Sequence, residues 1–191
     1  MKVLLGVTGS VAAKLTPKLF RRLLEDGHEV QIIATKSSLY FWDMRSLSWA
    51  NEYFKVWRDE DEWLGDRYVA DSSVLHIELA KWADVFLIAP LSKNTLFKIA
   101  YGAADNLLTC TAAAWWPLAG ENTKPLIIAP AMNTRMWLHP TTDEQIKRLI
   151  NLYLGHLKII NPVESLLACG DSGLGALADI EDIVQVVKRL G

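Results

Sequence analysis

Five segments of strand length, each predominantly apolar, alternate along this chain with segments of helical periodicity. They are KVLLGV, HEVQIIAT, DVFLIAP, KPLIIAP and HLKIINP, at 2–7, 28–35, 84–90, 124–130 and 156–162. A strand that is apolar on both faces must be covered on both faces, as happens in parallel sheets flanked by crossover helices. The pattern therefore predicts an α/β domain with a parallel sheet of five to six strands and helices on both faces.

The helical segments between these strands carry recognisable start and stop signals. The first, 11–27, has Pro17 in its early turns and Gly27 at its end. Further helices are predicted at 72–83 behind a serine cap, 105–116, 141–155 behind threonine caps, and 179–191, and 92–102 is predicted to be a loop that leads into a helix. The least regular part, 36–73, contains the acidic run RDEDEW, which we interpret as a solvated excursion.

Length and composition narrow the class of protein. The 191 residues suit a single domain, 1–191, and the net charge of −2 offers no basic surface for nucleic acid or an anionic membrane. The apolar runs are too short to span a bilayer, so we expect a cytoplasmic protein. Two cysteines make neither a disulfide framework nor a zinc site, and no metal is expected. Cys110 lies in an apolar helical pattern typical of a buried, inert thiol.

Small polar residues follow the predicted strands. Because ligands of parallel α/β sheets bind beyond the carboxyl ends of the strands, TGS, TKSS, PLSKNT, PAMN and ACGD mark a candidate site. Gly9 and Ser10 precede the first helix, where backbone N–H groups suit a phosphate, although a purely structural turn explains them equally well. The hydroxyl groups at 34–38 and 90–95 favour a phosphorylated cofactor. No acidic residue stands beside Thr35 to bind a ribose, which argues against a dinucleotide.

Three further residues are candidates for chemistry, each with a structural alternative. His76 falls in the first turn of a predicted helix, whose positive end keeps imidazole neutral and able to accept a proton; a packed histidine is the alternative. Asn133 follows the fourth strand and could simply cap a turn, and Met136 could belong to the core. Cys169 lies in the glycine-rich stretch ACGDSGLG, which does not suit a packed core, so its thiol is either incidental or exposed to chemistry, as in a flap that closes over a site.

Taken together, GVTGSVAAK, VLHIELAKWADVFLIAPLSKNT, DNLLT, PAMNTRMW and ACGDSGLGA closely resemble the flavin-dependent cysteine decarboxylases, and most closely their coenzyme A branch. The resemblance covers nearly the whole chain. It implies a flavodoxin-like Rossmann fold, usually a homotrimer, with FMN bound where subunits meet. The implied reaction converts 4′-phosphopantothenoylcysteine to 4′-phosphopantetheine through oxidation to a thioaldehyde, loss of CO2 and renewed reduction of the ene-thiol.

The resemblance also implies roles for individual residues. His76 is the implied catalytic base, and Cys169 the flap residue that returns a proton. Asn133 would hold the substrate carboxylate. Substrate contacts are further implied for Met136, Ala168 and Gly170, and FMN contacts for Gly9, Ser10, Val11, Thr35, Ser37, Phe41, Ser92, Asn94, Thr95 and Ala131.

Two related functions stay open, and one residue departs from the family pattern. Relatives that oxidatively decarboxylate the C-terminal cysteine of lantibiotic-type peptides share the motif order. Non-catalytic homologues that regulate a phosphatase share it too. Lys93 stands where relatives carry a small residue, so its ammonium either points outward or adds charge near phosphate or substrate. The connection 115–123 is longer than usual for the family.

Overall fold

The computed structural model describes residues 1–50, 54–63, 72–116, 123–166 and 172–191. Its strands are β1 (Lys2–Val7), β2 (Glu29–Ala34), β3 (Val56–Trp57), β4 (Val85–Leu91), β5 (Leu126–Pro130) and β6 (Leu157–Ile159). They form one parallel sheet in the order β3-β2-β1-β4-β5-β6. The chain first builds outward from β1 through β2 to β3 and then continues on the other side of β1. The predicted flavodoxin-like fold is confirmed.

Helices connect these strands and cover the sheet. They are α1 (Thr16–Glu25), α2 (Leu75–Trp82), α3 (Lys93–Tyr101), α4 (Leu107–Ala114), α5 (Thr134–Trp137), α6 (Pro140–Tyr153) and α7 (Ile180–Lys188). Short 3-10 helices occupy Val11–Leu15, Ser38–Tyr40, Met44–Leu47 and Asp59–Asp61. Within the described part of the chain, every helix is too short or too polar to cross a membrane.

Two apolar layers form the core, one on each face of the sheet. On one face, side chains of α1 and α7, such as Phe20 and Ile183, pack with Val3 and Leu5 of β1. On the other, side chains of α2, α3, α4 and α6 pack with Leu4. Successive residues of β1 therefore enter opposite layers, which is why the strand is apolar throughout.

The five predicted strands are all present; the first has the predicted ends, and the ends of the others differ by at most three residues. The sixth, β3, lies in the segment that we expected to be irregular, and it pairs Val56 and Trp57 with Ile32 and Ile33. Two residues are too few to show a strand period. The indole of Trp57 also donates to Gln31 Oε1 at 2.6 Å, which fixes this edge strand through a side chain.

Several predicted helix starts were wrong. Residues 11–15 form a 3-10 turn before α1, and Pro17 lies in the first turn of the α-helix proper, where its missing N–H costs nothing. Helix α2 begins after Val74, not after a serine. The first turn of α6 is capped by His139, whose side chain accepts from the N–H of Thr141, rather than by a threonine.

Two elements near the chain's last third were not predicted. One is the four-residue helix α5 directly after Asn133. The other is an antiparallel hairpin of β7 (Val163–Leu166) and β8 (Ser172–Ala176), outside the parallel sheet. Strand β8 could not be predicted from β-propensity, because it contains two glycines and glycine is depleted in strands.

The prediction of a buried, inert Cys110 is supported in part. The thiol is half-buried on α4 and donates to the carbonyl of Ala104 at 3.4 Å. Burial raises the pKa of Cys110, which favours the protonated thiol over the more reactive thiolate. The neighbouring tryptophans differ: Trp115 is buried against Phe86, whereas Trp116 is 49% exposed.

Candidate active site

The loops after β1 and β2 meet at the carboxyl edge of the sheet. A Cβ added to Gly9 would lie 2.5 Å from Ser37 Oγ and 2.7 Å from Ser37 Cβ, so the two loops touch where only glycine fits. The hydroxyl of Thr35 lies 3.3 Å from Ser37 Oγ and donates to the carbonyl of Val7 at 3.2 Å. Three of the predicted cofactor residues, Gly9, Thr35 and Ser37, are therefore adjacent.

Ser10 closes the same corner. Its Oγ accepts from the N–H of Ala12 at 3.4 Å and caps the 3-10 turn that leads into α1. Val11, the next residue, is exposed at the start of this turn. Phe41 follows the 3-10 turn after Ser37, half-buried and edge-on to the Tyr40 ring at 5.2 Å between centroids. Backbone N–H groups and hydroxyls thus share one corner of the edge, and Phe41 lies four residues after Ser37 along the chain.

The loop after β4 is fastened to the loop after β1 by Thr8, a residue that sequence reasoning missed. Thr8 Oγ1 donates to the carbonyl of Pro90 and accepts from the N–H of Ser92, both at 2.7 Å. Ser92 in turn caps α3 by accepting from the N–H of Thr95 at 3.3 Å. The predicted residues Ser92 and Thr95 are buried, while Asn94 is exposed. The signal available in the sequence was a threonine directly after the apolar run KVLLGV.

The turn after β5 continues the same edge. The N–H of Ala131 donates to the carbonyl of Leu91 at 3.0 Å, so this turn starts beside the loop after β4. Asn133 caps α5, its Oδ1 accepting from the N–H of Arg135 at 2.9 Å. The structural alternative for Asn133, a residue that caps a turn, is therefore correct. Met136 is 51% exposed and not part of the core, in contrast to the buried Met132.

The hairpin docks on this turn through glycines. The N–H of Met132 donates to the carbonyl of Gly175 at 2.9 Å. Gly175 has φ of +149°, and an added Cβ there would collide with the carbonyl oxygen of Met132. A Cβ on Gly173 would collide with the Thr134 hydroxyl. Strand β8 thus lies on the backbone around Asn133; Ala168, Cys169 and Gly170 fall in 167–171, outside the described residues.

His76 lies in the first turn of α2, as predicted, and its described polar partner is Glu62. His76 Nδ1 and Glu62 Oε1 are 2.6 Å apart, and the two side chains are 23% and 3% exposed. The interpretation of RDEDEW as solvated was therefore wrong for its Glu62. A charge-run argument averages over six residues and cannot show that one of them turns inward.

Lys93 is half-buried and does not point outward, so the first of its two predicted orientations is wrong. Its ammonium donates to Thr141 Oγ1, Thr142 Oγ1 and Gln145 Oε1 at 3.0, 2.6 and 2.9 Å, all on α6. Burial lowers its pKa. Thr142 also donates to the carbonyl of Met136 at 2.6 Å, so the lysine joins α3 to α6 and, through a shared hydroxyl, to the end of α5.

A family of known proteins matches this chain along its length. The family model described as Flavoprotein matches residues 1–190. The chain belongs to the flavoprotein family. Its relatives include phosphopantothenoylcysteine decarboxylases of Arabidopsis thaliana, 46% identical over 98% of this chain and 83% of the relative, and of Mus musculus, 43% identical over 99% and 86%. Coenzyme A biosynthesis protein 3 of Saccharomyces cerevisiae is 40% identical over 98% of the chain, which spans 33% of that relative's length.

Solved structures of this flavoprotein family agree with the fold. A mutant PPC decarboxylase complexed with pantothenoylaminoethenethiol superposes with a TM-score of 0.88 at 44% identity, covering 99% of this chain and 97% of that one. The FMN binding protein AtHal3 superposes with a TM-score of 0.84 at 45% identity, covering 99% and 95%. Both alignments extend over the strand-end loops described above.

Proposed function

We propose that this flavoprotein is an FMN-dependent decarboxylase of 4′-phosphopantothenoylcysteine, a single domain over 1–191. The observation that supports this most strongly is the unbroken edge of linked loops running from Thr35 and Ser37 through Gly9 and Ser92 to Asn133. Relatives that carry this activity by name are up to 46% identical over nearly the whole chain.

The residues of this edge fit an FMN. Gly9 lets the loop after β2 approach so closely that an added Cβ would lie 2.5 Å from Ser37 Oγ, which brings the Ser37 hydroxyl next to Ser10 and the start of the 3-10 turn. Backbone N–H groups and hydroxyls at a helix start suit a phosphate. We assign the remaining contacts to Val11, Thr35, Phe41, Ser92, Asn94, Thr95 and Ala131. When bound, FMN supplies a two-electron acceptor and donor for the carbon that bears sulfur, which is chemistry that no side chain offers.

The chain's own residues orient the substrate and move its protons. The Asn133 side chain carries an NH2 donor at Nδ2, and a donor is what a carboxylate requires, while its Oδ1 accepts from the N–H of Arg135. His76 accepts the thiol proton at Nε2, since Nδ1 faces Glu62. We assign the proton returned to the ene-thiol to Cys169, with Ala168 and Gly170 beside it and Met136 against the substrate.

We further propose a cytoplasmic homotrimer with FMN where subunits meet. Apolar side chains are exposed around the candidate site and on α3, among them Val11, Phe97, Tyr101, Met136 and Leu138. A surface of this kind is typical of a protein interface. Light scattering is expected to give three times the chain mass of 21.4 kDa; a monomer that retains full turnover would contradict the assembly.

A comparison of two substrates tests the proposed reaction. The FMN-reconstituted protein is expected to release CO2 from 4′-phosphopantothenoylcysteine. A peptide ending in cysteine serves as the second substrate, because the peptidyl-cysteine decarboxylase EpiD superposes with a TM-score of 0.73 at 26% identity. Turnover of the peptide alone would indicate a peptidyl-cysteine decarboxylase instead. Turnover of neither substrate would contradict the proposal that the protein is a decarboxylase.

A further inference from the structure

Glu62 is the least exposed acidic residue among those the structure describes, with a side chain 3% exposed. A carboxylate removed from water is costly unless it is paired or hydrogen-bonded. Its Oε1 meets His76 Nδ1 at 2.6 Å, and its Oε2 is buried without a hydrogen-bond partner among the described residues. The contact with His76 is therefore the main described compensation for burying this group.

The turn that leads to Glu62 is held in place by contacts that do not involve His76. The preceding 3-10 turn is closed by the N–H of Arg58, which donates to Asp61 Oδ2 at 2.8 Å. Asp59 Oδ1 accepts from the N–H of Leu107 at 3.0 Å and so ties the turn to the start of α4. The N–H of Glu62 itself donates to the carbonyl of Asp59 at 3.3 Å. The turn Asp59–Asp61 therefore holds the Glu62 carboxylate next to His76 independently of the contact between them.

We propose that Glu62 is a positioning residue that sets the tautomer and orientation of His76. An ionised carboxylate can only accept, so its partner Nδ1 carries the ring proton and Nε2 is left as the nitrogen with a lone pair. When a thiol gives its proton to Nε2, the S–H bond breaks, an N–H bond forms and the ring becomes imidazolium. The adjacent carboxylate neutralises that charge in a site with little water. The inference rests on the proposed function for His76.

The test combines an NMR readout with kinetics in three variants. Histidine 15N NMR of the wild-type holoenzyme is expected to show His76 protonated at Nδ1. Glu62→Ala is expected to lose that tautomer preference. Glu62→Gln keeps the volume but removes the charge and is expected to lower kcat about 10- to 100-fold with KM nearly unchanged. The control is Glu60→Gln, the same change two residues away, where the exposed carboxylate lies 3.9 Å from Arg58 Nε.

Each outcome decides the matter. An unchanged tautomer in Glu62→Ala, or a wild-type kcat in Glu62→Gln, would overturn the proposal, and so would an equal loss of kcat in Glu60→Gln. If Glu62→Ala does not fold, the kcat of Glu62→Gln decides alone. If the wild-type enzyme releases no CO2, the proposed function fails, whereas the tautomer measurement still tests the Glu62–His76 contact.

Discussion

The two sides of the candidate site are built in different ways. On the cofactor side, formed by 8–11, 35–37 and 92–95, loops at neighbouring strand ends bond to one another. On the substrate side, formed by His76 and Asn133, support comes from distant segments: Glu62 for the histidine, and strand β8 for the turn of the asparagine. A parallel sheet brings strand ends together by its topology, whereas the substrate side depends on a few specific side chains and glycines. We therefore expect mutations on the two sides to differ in their effects on turnover, stability and FMN binding.

The largest effect is expected on the substrate side from Asn133→Asp. Aspartate keeps the cap on α5, so the thermal midpoint should barely change. It also places a negative charge against the substrate carboxylate, a repulsion of about 3 kcal/mol, which corresponds to roughly a 100-fold loss of kcat/KM. Steady-state kinetics and thermal unfolding measure the two quantities.

Asn106→Asp provides the matched control for this change. Asn106 caps α4 in the same manner, its Oδ1 accepting from the N–H of Thr109 at 3.0 Å. It should retain turnover, with a small loss of stability, because the Asn106 Nδ2 donates to Asp105 Oδ1 at 3.3 Å and a carboxylate there would repel Asp105. Equal kinetic losses in the two variants would mean that Asn133 acts only as a helix cap.

The next effect concerns how β8 holds the Asn133 turn. Gly175→Ala introduces a methyl group against the Met132 carbonyl at a φ of +149°, and unfolding in urea should show a loss of about 3 kcal/mol. Gly155→Ala is the control, because φ is +90° but no atom lies within 4 Å of the added Cβ. It should lose about 1 kcal/mol. Similar losses would show that backbone conformation, and not the docking contact, matters.

On the cofactor side we expect a smaller and more specific loss from Gly9→Ala. Ser37 is exposed and can shift, so the fold should survive, but its displacement should weaken FMN binding about 10-fold. Fluorescence titration with FMN gives the dissociation constant. The double variant Gly9→Ala with Ser37→Gly removes the collision and should bind FMN as tightly as Ser37→Gly alone; a further loss of affinity in the double variant would refute a steric cause.

The smallest effect lies away from both sides, at His28. Burial, followed by the charge of the N-terminal ammonium, lowers the pKa of this histidine in the folded protein. As pH falls through the ordinary value of about 6.5, the unfolded chain takes up a proton first, so stability falls. His28→Gln should flatten the dependence of the thermal midpoint on pH between 7 and 5, leaving FMN binding unchanged. A slope equal to that of wild type would assign the acid sensitivity to other groups.

The cofactor side could be predicted from the sequence, and the reason is topological. Once the apolar segments are assigned to parallel strands, TGS, TKSS and PLSKNT must share one edge. Glu62 could not be found in this way, because its burial results from the Asp59 contact to α4, 48 residues further along the chain. The hairpin and the path of Lys93 likewise depend on long-range contacts to α5 and α6 that no local pattern encodes.

The central claim is that FMN binds along the carboxyl edge of the sheet, and amide NMR tests it most directly. Titration of 15N-labelled protein with FMN is expected to shift the resonances of 8–11, 35–37 and 92–95 while leaving those of α7 unchanged. Shifts confined to α7 and the amino ends of the strands, or no shifts at all, would contradict the account.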